Sequence, residues 1–500
     1  MRSLVLTTLI TSLLMVGCSD FGDLNEDPNN PAQPRTDLLL SQAEKSVGSA
    51  IGTVTGNLYV QYLAETQYTE ESRYDGINYD WDRWYTTEYT TVSDRTVADG
   101  PLFDLQTIID LNSNPDTRDE SYVLAGGSNT NQLAVARILK TYFFHMMTDR
   151  WGNIPYSEAL QGNDELTPAY DPQQAIYDSM LTTLQNAASN LNTNQATVSG
   201  DFLFDGDLEK WRLFANTLRM RMAMRLTEVN ASKAQSHFMD AYNNGYLQET
   251  AWFPFQASAN NENPWYSRFE TRTDYAISNT LGDTMLALDD MRVTAYADPA
   301  GDLDDEDGTT EMSEISTMPY GVDGETAGAI SATAVSFPGM AMRAQGADLP
   351  IISMAEVHFM LAEAAQRGWN VSGSAQAHYE SGIQASWEQW GVYNQSDFQA
   401  YMNQSEVQYD ANNWRQSIGF QKWIALYPIG YQGWSEWRRL GYPELEPAPA
   451  AFEGRDIPVR QGYPGSEPDL NSSNYQEAVS EQGDGSFDPL ATHVWWDTTP

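Results

Sequence analysis

Long amphipathic helical patterns recur along most of this 500-residue chain, and many of them come in pairs. Apolar residues spaced three and four positions apart indicate helices over residues 132–149, 209–226 and 231–243, and a further pair over 354–367 and 374–390. Hydrophobic residues make up 41% of the chain and aromatic residues 12%, which is enough apolar mass for a packed interior. The pattern predicts a mainly α fold.

The last of these helix pairs is close to a tetratricopeptide unit. If Ala362 takes the small position of the first helix, then Ala375, Tyr379 and Gly382 take the small, aromatic and small positions of the second. The match requires one extra residue between the helices. Repeats of this kind bury one helix face only by stacking on neighbours, so we expect several tetratricopeptide-like pairs.

Composition separates a helical scaffold from irregular parts of the chain. Between residues 245 and 350 helical runs shorten while Gly, Pro, Asp, Asn and Thr accumulate, and the C-terminal part is similar. A loop-rich stretch of this length inside a helical protein is unusual unless it is functional. We predict a single domain over residues 37–500. Its scaffold lies mainly at 37–244 and 351–440, with a ligand-binding region at about 245–350 and an irregular part at 441–500.

Cys18 is the only cysteine, and it lies where an export signal ends. Residues 1–17 combine a positive start, a short apolar stretch and a small final residue, as a secretory signal does. A cysteine directly after such a cut accepts lipid in bacterial lipoproteins; a small buried thiol is the alternative. We predict a signal peptide over 1–17, lipidation at Cys18 and a lipid-proximal tether over 18–36. No later segment approaches the ~20 continuous apolar residues of a membrane helix, so we expect a tethered protein.

The chain carries 69 acidic and 27 basic residues, a formal net charge of −42. Such a surface repels nucleic acid and other polyanions. The charge therefore argues against a nucleic-acid partner and against an anionic polymer as ligand. Solubility in a saline medium is the alternative explanation of the charge. A neutral ligand fits the charge better than a sulfated or uronic-acid polymer.

Several enzyme and metal signatures are missing from the sequence. It contains no GxSxG elbow, Walker loop or HExxH helix, and no two of its five histidines have the i, i+4 ligand spacing. The acidic run at 302–308 fails as an EF-hand, because Asp307 replaces the glycine at position six and Ser313 replaces the glutamate at position twelve. We therefore predict no cofactor, no metal and no enzymatic activity, with calcium binding as an alternative that no motif supports. A carboxylate pair for glycoside hydrolysis stays open as an alternative, since 69 acids yield many accidental pairs.

Aromatic residues alternate with polar ones in two clusters outside the long helices. Sugar rings pack their C–H faces on flat aromatic rings, while their hydroxyls need Asn, Asp or Arg partners, so this composition suits a glycan-binding surface. The first cluster extends from Tyr68 to Tyr85, and the second begins at Asn263. The candidate ligand-binding residues are Tyr74, Asp75, Tyr79, Trp81, Trp84, Asn263, Trp265, Tyr266, Arg272, Asp274 and Tyr320.

The alternative is that these rings fill the core. Helical spacing favours the core for Trp84, whereas flanking Pro, Gly and Asn residues favour binding for Trp265, Tyr266 and Tyr320. The helix over 209–226 has a clear core stripe, and the arginines beside that stripe are expected to pair internally with acids. Those arginines are Arg219, Arg221 and Arg225.

Six motifs, spread in order over nearly the whole chain, carry a resemblance to a known family. They are DLNEDPN at 23–29, TDRWGNIPYSEA at 148–159, WRLFANTLR at 211–219, AEVHFMLAEA at 355–364, QKWIALY at 421–427 and WSEWRR at 434–439. In these motifs the chain resembles the SusD/RagB outer-membrane lipoproteins. The motifs are scaffold features, so they identify the family and not the ligand.

The resemblance implies a tetratricopeptide-like scaffold that carries an irregular ligand-binding half. It implies a lipoprotein on the outer face of the outer membrane, with a SusC-like TonB-dependent transporter as partner. Most such proteins capture oligosaccharides, and RagB-like ones handle peptides. The leading hypothesis is capture of an oligosaccharide or polysaccharide, a neutral glucan or mannan in view of the acidity. Peptide binding, a protein-interaction scaffold and a glycoside hydrolase are the alternatives.

Overall fold

The structure is a computed structural model, and the part of the chain that it describes is residues 34–85, 90–92, 95–97, 100–303, 310–483 and 488–498. Some predictions fall outside these residues. They are the signal peptide at 1–17, the lipidation of Cys18, most of the tether at 18–36 and most of the acidic run at 302–308. These remain predictions.

Long helices build most of the described structure, and we label them in chain order. They are α1 (Thr36–Ile51), α2 (Pro101–Ser113), α3 (Asn129–Trp151), α4 (Gln173–Asn190), α5 (Leu208–Arg225), α6 (Ala231–Asn243), α7 (Met354–Gln366), α8 (Ala375–Gln389), α9 (Trp414–Ala425), α10 (Gly430–Leu440) and α11 (Ser472–Gly483). The C-terminal α11 lies in a part of the chain for which the sequence indicated only turns.

Polar residues explain where several of these helices begin. The Asp207 carboxylate accepts hydrogen bonds from two backbone N–H groups of the first turn of α5, at 2.9 and 3.1 Å. The hydroxyls of Ser353 and Ser374 cap α7 and α8 in the same way. Pro172 lies directly before α4, at its N-cap position.

Successive helices pack on one another as in a helical repeat. Each of the long helices α1 to α5 packs against the next long helix in the chain. In a second group, α7 contacts α8 and α9, and α9 contacts α10; α5 also contacts α7 and joins the two groups. The mainly α fold class is confirmed, and the arrangement of its helix pairs is tetratricopeptide-like.

The predicted tetratricopeptide positions lie where α7 and α8 meet. Ala362 and Tyr379 are buried, and the Tyr379 hydroxyl donates to the Val407 carbonyl oxygen at 2.6 Å. A Cβ placed on Gly382 would lie 3.0 Å from the ring of Phe359, so the glycine allows the two helices their close approach. The small and aromatic positions thus serve the packing that the repeat pattern predicts.

Short elements fill the segments between the long helices. The short α-helices are Thr55–Tyr59, Asp82–Tyr85, Ser121–Leu124, Pro264–Phe269, Asn279–Ala287, Val293–Tyr296, Gly324–Gly328, Met340–Arg343, Gln395–Met402 and Glu467–Leu470. The 3-10 turns are Gly162–Asp164, Met312–Glu314, Ala332–Ala334 and Phe452–Gly454. The antiparallel strand pairs are Leu63–Glu65 with Tyr275–Ile277, Thr90–Val92 with Arg95–Val97, Ile154–Pro155 with Tyr170–Asp171, and Ala251–Phe253 with Leu349–Ile352.

Two of these strand pairs tie the irregular central segment to the scaffold. The pair formed by Ala251–Phe253 and Leu349–Ile352 joins the two ends of that segment. The pair formed by Leu63–Glu65 and Tyr275–Ile277 attaches its middle to the chain that follows α1. The segment that carries the second aromatic cluster is therefore held next to the segment that carries the first.

A buried ionic network connects the long helices. The Arg225 guanidinium on α5 donates to Asp149 on α3 at 3.0 Å, to Gln432 at 2.9 Å and to Glu436 on α10. Asp149 also accepts from the indole N–H of Trp496 at 2.9 Å. Because each charge lies out of water but faces opposite charges and hydrogen-bond partners, the network can exist in the interior.

The same network extends to α7 and α9. Arg439 pairs with Glu363 at 2.6 Å and with Glu436 at 2.7 Å, while Lys422 pairs with Glu436 at 2.8 Å. Burial opposes the charge on Glu436, yet the cations Arg439, Lys422 and Arg225 hold the pKa of Glu436 well below its usual value.

The predicted internal pairing of the α5 arginines is confirmed. Arg219 pairs with Asp240 and Arg221 with Glu356, each at 2.6 Å, beside the Arg225 pairs described above.

Candidate functional site

Most of the predicted ring residues are buried, contrary to the expectation of exposed rings on loops. The buried candidates are Tyr74, Trp81, Trp84, Asn263, Trp265 and Tyr320. Flanking Pro, Gly and Asn residues did not indicate exposure: Trp265 lies in helix Pro264–Phe269 and Tyr320 in a turn, and the rings turn inward because each removes a large apolar area from water. The expectation of exposed rings is therefore wrong for Tyr74, Trp81, Trp265 and Tyr320, whereas the burial of Trp84 agrees with the core position that its helical spacing favours.

Trp265, Asn263 and Tyr320 of the second cluster support the fold. The Trp265 side chain is 0% exposed. The Asn263 side chain accepts from the Trp265 backbone N–H at 2.8 Å and donates to the Met342 carbonyl oxygen at 2.8 Å, so it caps helix Pro264–Phe269. The Tyr320 hydroxyl donates to the Leu58 carbonyl oxygen at 2.7 Å.

Tyr74 and Trp81 of the first cluster also pack inside. The Tyr74 hydroxyl accepts from the Ala448 backbone N–H at 3.1 Å. The Trp81 ring meets the rings of Trp151 and Tyr463 edge-on, with centroids 5.5 and 5.4 Å apart. Both residues thus join the first cluster to the C-terminal part of the chain.

Tyr79 and Trp84 line an open cleft of about 300 Å³ beside α1, which we call the α1 cleft. Aromatic, hydroxyl and charged side chains are mixed on its walls. Its lining residues are Ser46, Ser49, Ala50, Thr53, Thr55, Tyr79, Asp80, Trp84, Pro101, Phe143, Arg150 and Tyr431. Two of the predicted binding residues thus meet in one place, together with residues that the sequence did not indicate.

Arg150 and Tyr431 form one wall of the α1 cleft. The Arg150 guanidinium carbon lies 4.1 Å from the centroid of the Tyr431 ring and 5.6 Å from that of Trp84. Its Nε donates to the Gln461 side-chain oxygen at 2.7 Å, which fixes its orientation. Arg150 directly follows Asp149 in α3, so a scaffold motif delivers a cation to the cleft.

Tyr79, on another wall of the α1 cleft, is fixed by hydrogen bonds of its hydroxyl and of its backbone. The Tyr59 hydroxyl donates to the Tyr79 hydroxyl at 2.5 Å, and the Tyr79 backbone N–H donates to the Gly462 carbonyl oxygen at 3.1 Å. Burial raises the pKa of Tyr79, so its phenol stays neutral at physiological pH. A neutral ring fixed at two points offers a rigid face to a ligand.

The exposed face of α1 supplies hydroxyl groups. Ser46 and Ser49 lie three positions apart on one side of the helix, and Thr53 follows two residues after its end. Asp80 adds a carboxylate and Arg150 a cation to the same cleft. The α1 cleft can therefore hydrogen-bond a polyhydroxylated ligand while its rings take an apolar face.

Arg272 and Asp274 meet at a second exposed place, with Tyr68. The Tyr68 ring is 65% exposed, and the Arg272 guanidinium carbon lies 4.8 Å from its centroid. Arg272 also pairs with Asp274 at 2.7 Å, and the Gln67 amide donates to Asp274. This Tyr68–Arg272 ledge combines both predicted clusters, although Tyr68 was not among the candidate binding residues.

Asp75 and Tyr266 stand apart from the α1 cleft. Asp75 is exposed, and its carbonyl oxygen accepts from Arg455 at 3.2 Å. Tyr266 is half-buried in helix Pro264–Phe269. Neither side chain is among those that line the α1 cleft.

The structure is thus a helical-repeat fold with an open cleft whose walls mix aromatic, hydroxyl and charged side chains. A family model described as "starch-binding associating with outer membrane" matches residues 28–464. The chain belongs to this SusD-like family, which is associated with the outer membrane.

Solved structures agree with this assignment. A chitin-binding protein is 27% identical and has a TM-score of 0.75, covering 93% of this chain and 100% of its own. A chitin-binding SusD homologue from Flavobacterium johnsoniae is 24% identical with a TM-score of 0.71 and coverages of 93% and 99%. A SusD homologue from Bacteroides fragilis is 22% identical with a TM-score of 0.74 and coverages of 92% and 99%. Among curated proteins no match was found.

The described residues contain neither a membrane-spanning helix nor a metal-binding group of side chains. No helix there has both the length and the apolar character needed to cross a bilayer. Within the same residues, no three or more His, Cys, Asp or Glu side chains are grouped so that they could hold a metal ion.

Proposed function

We propose that this SusD-like protein captures a neutral oligosaccharide in the α1 cleft. The observation that carries the proposal is the joint lining of this cleft by the rings of Tyr79, Trp84 and Tyr431 and by hydroxyl, carboxylate and guanidinium groups. Aromatic faces take the C–H faces of sugar rings, and the polar groups take their hydroxyls. Each good ring contact contributes about 0.5–1.5 kcal/mol beyond area burial.

A neutral ligand follows from the charge of the chain. At a net charge of −42 the protein repels uronic-acid and sulfated polymers. The neutral class includes the glucan and mannan expected from the sequence. It also includes chitin, and two of the similar solved structures are described as chitin-binding. We therefore place chitin oligosaccharides beside glucans and mannans as candidate ligands.

The proposal includes the setting of the cleft. Lipid at Cys18 would hold the protein on the outer face of the outer membrane, and a SusC-like TonB-dependent transporter would receive the captured glycan. The family's association with the outer membrane supports this setting. In this role the protein binds its ligand without cleaving it, so we expect no release of reducing ends. Neither a metal nor another cofactor is required.

Isothermal titration calorimetry with a panel of neutral oligosaccharides, anionic oligosaccharides and peptides tests the proposal. We expect binding of at least one neutral series, and a Tyr79→Ala variant that binds it about 2- to 12-fold more weakly, because one ring contact is lost. Tyr266→Ala is the matched control, since this tyrosine lies outside the α1 cleft. Tight binding of peptides with no binding of any oligosaccharide would contradict the proposal and favour a RagB-like receptor.

A further inference from the structure

A second cleft of about 530 Å³ lies along α1 from Leu38 to Ser49. Its aromatic side is formed by Phe202, Phe253 and Phe255, and we call it the Phe cleft. The Phe253 and Phe255 centroids are 4.5 Å apart, and Phe202 meets Phe253 edge-on at 5.7 Å. Phe202 and Phe255 are half-buried, so parts of both side chains are open to solvent.

The rim of the Phe cleft is polar and rich in amides. Gln42 and Lys45 on α1 face Gln256, Asn261 and Glu262 on the loop that follows strand Ala251–Phe253. The Glu262 carboxylate is fixed by the Ser267 hydroxyl at 2.6 Å and by the Gln345 amide at 2.9 Å. Like the α1 cleft, the Phe cleft combines aromatic rings with polar groups, but its rings are phenylalanines and its polar groups are mainly amides.

The two clefts follow one solvent-facing stripe of α1. Leu38, Gln42, Lys45 and Ser49 are exposed at spacings of four, three and four, which is a single helix face. Ser49 lines both clefts. From Leu38 in the Phe cleft to Ala50 in the α1 cleft, the axial distance along α1 is roughly 18 Å at 1.5 Å per residue.

The packing of α1 fixes the floor of the Phe cleft. A Cβ placed on Gly48 would lie 2.6 Å from the ring of Phe253 and 2.9 Å from that of Phe255. Because residue 48 is glycine, both rings can lie directly against α1. The rings and the polar stripe are thus parts of one rigid surface.

We propose that the Phe cleft is a second subsite, which holds the distal units of a neutral oligosaccharide whose other end occupies the α1 cleft. This rests on the proposed function of the α1 cleft. A chain that spans both clefts runs along the exposed stripe of α1 and contacts two groups of rings, whereas a short chain contacts one. The protein then selects ligands by chain length as well as by sugar type.

The test compares a trisaccharide and an octasaccharide of the series that binds most tightly in the panel above. Calorimetry is done with the wild type, Phe255→Ala, Phe255→Leu and Tyr79→Ala. We expect Phe255→Ala to weaken octasaccharide binding about 2- to 12-fold and to leave trisaccharide binding unchanged. Phe255→Leu retains apolar volume but no ring face, so it should show the same selective loss. Tyr79→Ala should weaken both ligands.

The possible failures are distinguishable. Equal binding of the octasaccharide by the wild type and both Phe255 variants would overturn the second subsite and leave the α1 cleft intact as a site. An equal loss for both ligands in Phe255→Leu, with an unchanged melting temperature, would also overturn it, because the effect would then act through the α1 cleft. If the wild type binds neither oligosaccharide, the proposed function fails and the second subsite fails with it.

Discussion

Two adjacent residues at the end of α3 belong to two different regions of this protein, the buried ionic network and the α1 cleft. Asp149 points into the ionic network and meets Arg225 at 3.0 Å, whereas Arg150 turns to the α1 cleft and lies 4.1 Å from the Tyr431 ring centroid. Successive helix positions face different directions, so a single motif can serve both places. The family motif therefore encodes the scaffold and also delivers one cation to the site.

The two regions also treat charge differently. In the network, Glu436 faces three cations, and its charge is balanced where no water reaches it. In the α1 cleft, Asp80 is exposed, and Arg150 is largely buried but lines the open cleft together with hydroxyls and rings. Substitutions in the network should thus change stability, while substitutions in the cleft should change affinity.

Glu436→Gln should have the largest effect on the free energy of unfolding. The variant leaves Arg225, Arg439 and Lys422 with one negative charge fewer, and breaking a buried ion pair costs about 3–5 kcal/mol. Chemical denaturation measures the loss. Glu249→Gln is the matched control, because Glu249 pairs with Lys210 at an exposed position and a surface pair contributes about 0–1 kcal/mol. An equal loss of unfolding free energy in the two variants would show that the buried network contributes no more to stability than an exposed ion pair.

Glu65→Gln should change how stability depends on pH. Burial raises the pKa of Glu65 to about 8, against the opposing hydrogen bonds from Ser72. Between the usual glutamate pKa and about 8, the folded wild type keeps this proton while the unfolded chain loses it. Its unfolding free energy therefore falls as pH rises through this window, by up to about 1.4 kcal/mol per pH unit from this group.

The measurement is the unfolding free energy of both proteins from pH 5 to pH 8. Glu65→Gln lacks the titrating group, so its stability relative to the wild type should increase toward pH 8. Glu70→Gln, at an exposed position nearby, controls for the loss of one negative charge. Parallel pH curves for the wild type and Glu65→Gln would show that burial does not perturb Glu65.

Tyr320→Phe should have the smallest effect on the free energy of unfolding. It tests whether Tyr320 supports the fold without contributing to ligand binding. It removes the hydroxyl that donates to the Leu58 carbonyl oxygen, a hydrogen bond with a net contribution of about 0.5–1.5 kcal/mol. Thermal unfolding should show this loss, and calorimetry should show unchanged oligosaccharide affinity. A weaker oligosaccharide affinity with unchanged stability would instead show that Tyr320 contributes to the binding site.

The scaffold could be predicted from sequence because its signals are local. The stripe that indicated α5, the capping residue Asp207 and the small positions of the α7–α8 pair all act within a few residues. The acid partners of Arg219, Arg221 and Arg225 could be expected as a class but not by number, since they come from other helices.

The site could be predicted only in part because it depends on long-range contacts. Tyr79 and Trp84 were indicated by their cluster and line the α1 cleft. Trp265 and Tyr320 were assigned to binding because of their flanking Pro, Gly and Asn residues, and these do not indicate exposure. Arg150 and Tyr431 were missed. They belong to different helices far apart in the chain, and only the packing of α3 near α10 brings them together.

A crystal structure with the tightest-binding neutral oligosaccharide tests the central claim most directly. We expect electron density for sugar rings in the α1 cleft, against Tyr79 and Trp84, with hydroxyls near Ser49 and Arg150. Density for the ligand on the Tyr68–Arg272 ledge or elsewhere, with the α1 cleft empty, would contradict the assignment of this cleft as the binding site.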